Sequence, residues 1–233
     1  MSGRELILRH QELIENPTTR VPVCLVLDAS PSMDARHSGD ALSAIEELNT
    51  GVAAFFEAIA AHEVARYAAD VAIVSFSSDA RVEYASGSIE FGAPHLGTRA
   101  GGTSLGSGVT AGLKLLDDRK REYRETGVDY WQPWLVLMTD GAPTDATHIA
   151  VAADVASRVN GKKLTIFPIG IGAEADMATL QLFSPQRPPL RLQGLNFTAF
   201  FEWLSKSVAT ASDSTPAQGM TFDVQGIQSW GSL

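Results

Sequence analysis

Asp28, Ser30 and Ser32 stand together in the run Asp28-Ala29-Ser30-Pro31-Ser32, Thr103 in Gly101-Gly102-Thr103-Ser104, and Asp140 in Thr139-Asp140-Gly141. Two carboxylates and three hydroxyls offer oxygen and nothing else. With no thiolate or imidazole in the set, the donor chemistry favours a hard cation such as magnesium or manganese. Two carboxylates match a divalent charge, and neutral hydroxyls fill further positions without adding negative charge. Such a metal stays electrophilic and has room for a ligand from outside. An aspartate or glutamate on a protein partner is the natural sixth group.

Each segment falls where an element begins or ends. Four short apolar runs, Val21 to Leu27, Val71 to Phe76, Trp134 to Thr139 and Leu164 to Ile169, are continuous rather than alternating, as parallel strands covered on both faces should be. Helical stripes lie between them. One is Ala41, Ile45, Leu48, Val52, Phe55, Phe56 and Ile59; a second is Leu105, Val109, Leu113 and Leu116; a third is Ile149, Ala152, Ala153, Ala156 and Val159. The fourth, Phe197, Phe200, Phe201, Leu204 and Val208, follows Asn196 as a candidate N-cap. The basic cluster Arg119-Lys120-Arg121 is placed towards the C-terminal end of the second stripe, where a helix dipole favours cations. Strands alternating with helices predict an α/β fold with a central, mainly parallel sheet and helices on both faces. Arg81 to Ala85, after the Ser77-Ser78-Asp79 turn, reads as a short antiparallel edge strand. Ligands of open α/β sheets bind beyond the carboxyl ends of the strands. The Asp28 and Asp140 segments leave such ends, and the Thr103 loop can join them there.

Asp28-x-Ser30-x-Ser32, Thr103 and Asp140 resemble the metal-ion-dependent adhesion site of von Willebrand factor A domains, in the family's order, over roughly residues 20 to 209. The resemblance implies a Rossmann-like three-layer fold. It also implies that Ser30, Ser32 and Thr103 bind the metal directly, with Asp28 and Asp140 acting partly through water. A narrower likeness runs through Arg119 to Arg124, Pro133-Trp134, Thr139 to Asp145, Leu192 to Leu195, Phe200 to Ser205 and Ser214-Thr215-Pro216. These segments are similar to bacterial stand-alone proteins of the tellurium-resistance (TerY-like) type. That likeness implies a stress or tellurite-resistance system with kinase and phosphatase partners.

Competing chemistries fit less well. Gly102-Thr103-Ser104-Leu105-Gly106 matches the nucleophile-elbow pattern letter for letter, and Asp140 with His148 would complete a hydrolase order. An elbow needs a buried strand before it, and residues 92–101 are loop-like. A dehalogenase-type phosphatase would use Asp28 as nucleophile, but carries an acid where Ser30 stands, and no phosphate-cradling glycine loop is present. The expectation is therefore a binding module and not an enzyme. The alternatives are a metal-independent scaffold and, behind it, a metal-dependent phosphatase. Asp34 and Asp145 read as turn or cap residues, Ser104 as a helix cap, and His37 as surface. Trp131, Trp134 and Trp203 read as core and rim.

The 233 residues, 45% hydrophobic and 19% charged, suffice for one sizeable core. A net charge of −9 argues against nucleic-acid binding, which needs a cationic surplus. The single cysteine, Cys24, sits in an apolar run, which excludes an internal disulfide and points to core packing. Residues 1–20 lack a signal-peptide-like apolar stretch and no run is long enough to span a membrane, so a cytoplasmic location is expected. The predicted organisation is an extension over 1–19, one domain over 20–209 and a polar tail over 210–233 that either packs on the domain or hangs loose.

Overall fold

Strand β1, Val21–Asp28, is buried along its whole length. Its alternation divides the core in two. Val21, Val23, Leu25 and Leu27 face one apolar cluster, while Cys24 and Val26 face the other. A strand with two apolar faces must lie between two helical layers. The computed structural model describes residues 10–36, 42–214, 224–228 and 230–232, and shows that arrangement. Ala41 of the first predicted stripe and His37 lie outside the described residues.

The chain continues through α1 (Ala44–Ala61), β2 (Ala69–Phe76), β3 (Ala80–Gly87), α2 (Leu105–Thr126), β4 (Trp134–Thr139), α3 (His148–Asn160) and β5 (Thr165–Gly170). Then follow α4 (Met177–Phe183), β6 (Leu190–Leu192), α5 (Phe197–Ser212) and β7 (Gly231–Ser232). The sheet order is β3-β2-β1-β4-β5-β6-β7. Strands β2, β1, β4, β5 and β6 run parallel. The expected antiparallel edge strand is β3, and the opposite edge carries a further antiparallel pair, β6 with β7. Helices α1 and α5 cover one face; α2, α3 and α4 cover the other.

Helix α1 opens with a capping box, the Ser43 N–H donating to Glu46 Oε2 at 2.8 Å. Asn196 caps α5 as expected, its side chain accepting from the Ala199 N–H. The predicted α3 stripe holds only in part, with Ala152 and Val159 on the core side. Ile149 is 62% exposed and Ala153 is exposed, whereas Ala152 and Val155 are buried, flanked by Val151 and Val159. In a stretch this rich in alanine, small side chains mark both faces alike.

The basic cluster lies in the C-terminal third of α2, as expected, but short of the last turn, because the helix continues to Thr126. Arg119 is 1% exposed and donates to Asp70 at 2.6 Å, Glu122 at 2.6 Å and Glu12 at 3.1 Å. Glu12 also accepts from the fully buried Arg20 at 2.7 Å. This ion network ties the helical residues 10–15 to the amino edge of the sheet. At the other end of the chain, Trp230 is fully buried, its ring 4.9 Å from that of Phe200 and 5.4 Å from that of Trp203. Trp131, Trp134 and Trp203 are buried too, so Trp203 is core and offers no exposed partner contact.

Candidate functional site

Strand register places the chemistry. Asp28 pairs with Phe76 across β1 and β2, and Leu27 pairs with Met138 across β1 and β4. Asp28, Ser77 and Thr139 therefore end up side by side at the carboxyl edge. The strand order reverses between β1 and β4, the switch point at which open α/β sheets leave a crevice.

Asp28 is fully buried there. Its Oδ1 accepts from the Ser30 N–H at 2.8 Å and its Oδ2 accepts from the Thr139 hydroxyl. The Ser30 and Ser32 hydroxyls meet at 3.0 Å, and Ser32 Oγ donates to Asp140 Oδ1 at 2.9 Å. A continuous chain of oxygens thus runs from the β1 loop to the β4 loop. Thr103 is buried, and its hydroxyl faces Gly141, where an added Cβ would lie 3.9 Å away. That hydroxyl has no hydrogen-bond partner among the described residues. All five sequence-read residues belong to these three adjoining loops.

The surrounding backbone is fixed by further side chains, Thr144 and Ser77. Thr144 Oγ1 accepts from the Thr103 N–H at 2.9 Å, and the Thr144 N–H returns a bond to the Thr103 carbonyl at 2.9 Å. Ser77 Oγ donates to the Arg99 and Gly102 carbonyls, and the Ser104 N–H donates to the Ser77 carbonyl at 2.6 Å. For Ser77, a polar residue directly after the β2 apolar run was the available signal. Close approach is also required: a Cβ on Gly102 would come 2.4 Å from Thr144 Oγ1. One on Gly106 would come 2.7 Å from the His148 backbone nitrogen. Those two glycines let the start of α2 dock against the β4–α3 loop.

Asp145 behaves as the turn residue expected, accepting from Thr147 Oγ1 and from the Gly106 N–H. Asp34 ends the short helical turn Pro31–Asp34. Ser104 differs from expectation. It occupies the N-cap position of α2 but makes no side-chain cap bond, its hydroxyl instead meeting Ser107 Oγ at 2.9 Å. The hydrolase arrangement is not assembled, since His148 Nδ1 lies against the Asp145 carbonyl and no strand precedes Gly102.

Burial pushes the Asp28 carboxyl up to about 6; the Thr139 and Ser30 hydrogen bonds oppose this, and the charge of Asp140 adds to it. A cation among these oxygens would relieve both the burial and the repulsion, so the donor set fits a hard divalent metal. Among the described residues no group of three or more His, Cys, Asp or Glu side chains forms a metal cluster. Any site here draws on hydroxyls. Cys24, the one thiol, is buried in the core, where burial raises it to about 12.

The family model for the von Willebrand factor type A domain matches residues 23–198. A search of curated proteins finds no match. Among solved structures, the pilus adhesin SpaC from Lactobacillus rhamnosus GG is similar with a TM-score of 0.63 at 16% identity, over 82% of this chain and 31% of that one. The minor pilin PilB from Streptococcus sanguinis gives 0.59 at 14% identity, over 87% and 64%. Proximal thread matrix protein 1 from the mussel byssus, with a zinc-occupied MIDAS motif, gives 0.53 at 16%, over 84% and 47%. The chain spans less than half of the mussel and SpaC chains, and identities this low speak for the fold alone. Among the described residues no helix is long and apolar enough to cross a membrane. With three quarters of its length matched by the family model and a sheet order of β3-β2-β1-β4-β5-β6-β7, the chain belongs to the von Willebrand factor type A domain family.

Proposed function

We propose that this chain is a divalent-metal-dependent protein-binding module whose adhesion-type site is formed by Asp28, Ser30, Ser32, Thr103 and Asp140. The observation that carries the reading is the run of oxygens from Ser30 through Ser32 to Asp140, next to buried Asp28, with the Thr103 hydroxyl facing Gly141, the residue after Asp140. Magnesium or manganese held there would supply a Lewis-acidic position able to take a carboxylate oxygen from a partner. The protein's part is to orient and to balance charge. Ser30, Ser32 and Thr103 present neutral oxygens. Asp28 has both of its oxygens engaged by Ser30 and Thr139, which suits an indirect hold through water. Asp140 sets the second negative charge at the mouth.

Family membership and adhesin, pilin and matrix neighbours support a binding module. The likeness to tellurium-resistance proteins extends the proposal to a bacterial stress system with kinase and phosphatase partners, acting in the cytoplasm. Isothermal titration of metal-free protein with magnesium and manganese tests the site. One-to-one binding that is lost in Asp28→Ala is expected. An equal affinity in that variant would remove the assignment, and partner binding that persists in chelator would favour a metal-independent scaffold.

A further inference from the structure

The pole opposite the oxygen-lined site carries a different kind of surface. The last turns of α2 and α3 and residues 130–133, which enter β4, enclose a groove of about 890 Å³. Six of the chain's 18 lysines and arginines line it: Lys120, Arg121, Arg124, Arg158, Lys162 and Lys163. Two aspartates share the lining. In a chain of net charge −9, this is a concentrated island of opposite sign.

Internal pairing consumes only part of that charge. Asp117 accepts from Lys120 and Arg158, each at 2.8 Å; Asp154 accepts from Arg158 at 3.0 Å; Asp118 accepts from Arg121 at 3.1 Å. Arg124, Lys162 and Lys163 are exposed and make no ion pair among the described residues. Helix dipoles account for cations in the final turns of α2 and α3, but Lys162 and Lys163 lie beyond the end of α3. Lys162 is moreover the one described non-glycine residue with positive φ, at 53°. The left-handed position beside Gly161 is one that glycine fills with least strain, by about 1 kcal/mol. A lysine is held there at a cost to the fold.

We infer that this groove binds an acidic peptide segment of a protein partner, independently of the metal site. Compact phosphates seek helix N-termini, whereas this groove is lined by the last turns of two helices and by the carboxylates of Asp117 and Asp154. Carboxylates spread along a chain can reach Arg124, Lys162 and Lys163 separately while avoiding those negative ends. Among the described residues Tyr130 is the only aromatic side chain in the lining, a poor stacking platform for nucleic-acid bases.

The test is fluorescence anisotropy on the full chain in excess EDTA, which removes metal-mediated capture of carboxylates. The probe is a short labelled peptide of alternating glutamate and serine, with glutamine in place of glutamate as control. Saturable, salt-sensitive binding of the glutamate peptide is expected. The double variant Arg124→Glu/Lys163→Glu should raise Kd on the order of tenfold. Lys162→Gly should weaken binding several-fold while leaving the unfolding midpoint unchanged or higher. Unchanged affinity in the double variant, or equal binding of the glutamine peptide, would overturn the inference. So would displacement of the peptide by a single-stranded oligonucleotide at lower concentration than by unlabelled peptide.

Discussion

Replacing Asp28 with asparagine should stabilise the metal-free protein. The carboxyl lies fully buried, and its pKa stands at about 6 rather than the ordinary 3.8. Between those values the folded state holds a proton that the unfolded chain has released. Stability contributed by this group is therefore full below the unfolded value and falls as pH rises through about 6. At 1.36 kcal/mol per pH unit, the charged form costs the native state about 3 kcal/mol at pH 7. Asparagine removes the charge and keeps an oxygen for the Ser30 N–H, but it loses an acceptor for the Thr139 hydroxyl. Returning about 1–2 kcal/mol for that mismatch leaves a net gain of about 1–2 kcal/mol. Urea unfolding in EDTA at pH 7 measures it directly. Repeating at pH 4 should abolish the gain, and saturating magnesium should reverse the order, since only the unaltered site gains ligand-linked stability. A variant less stable than the parent in EDTA at pH 7 would refute the reasoning, because the hydrogen bonds of Asp28 would then outweigh its burial.

Arg119→Met should destabilise the fold by about 3–5 kcal/mol, read by denaturant unfolding, because Asp70 and Glu122 lose their shared buried cation. Trp230→Ala should cost about 3–5 kcal/mol through loss of packing on Phe200 and Trp203; an unchanged midpoint would mean that the segment does not hold α5 in solution. Gly106→Ala should lower stability by about 1–3 kcal/mol and weaken manganese affinity. The new methyl would drive the start of α2 from the His148 backbone and displace Thr103. Thermal unfolding paired with a manganese titration checks both effects.

Strands β1, β2, β4 and β5 were legible because burial on two faces leaves only apolar side chains over several residues. The proposed oxygen donors Asp28, Ser30, Ser32 and Asp140 were legible for the related reason that their segments directly follow such runs, whereas Thr103 was legible as a polar residue ahead of a helical stripe. Where sequence reading failed, the decisive contacts were distant along the chain. Arg119 looks like a surface cation until Asp70 and Glu12 are brought to it by the fold. Strands β6 and β7 have three and two residues, too few for a periodic pattern, and are defined by pairing across the gap between Leu192 and Gly231. Thr144 is invisible as a site residue because its role is to receive the Thr103 N–H, a backbone bond no residue pattern advertises.

Water-proton relaxation of manganese-loaded protein, followed while acetate is added, shows whether a metal held here stays open to a carboxylate. An enhancement on manganese binding that depends on Asp28 and Asp140 is expected, with a saturable fall as a carboxylate replaces water at the site. No enhancement, or one untouched by both acetate and substitution of Asp28, would contradict a metal site made to receive a partner's carboxylate.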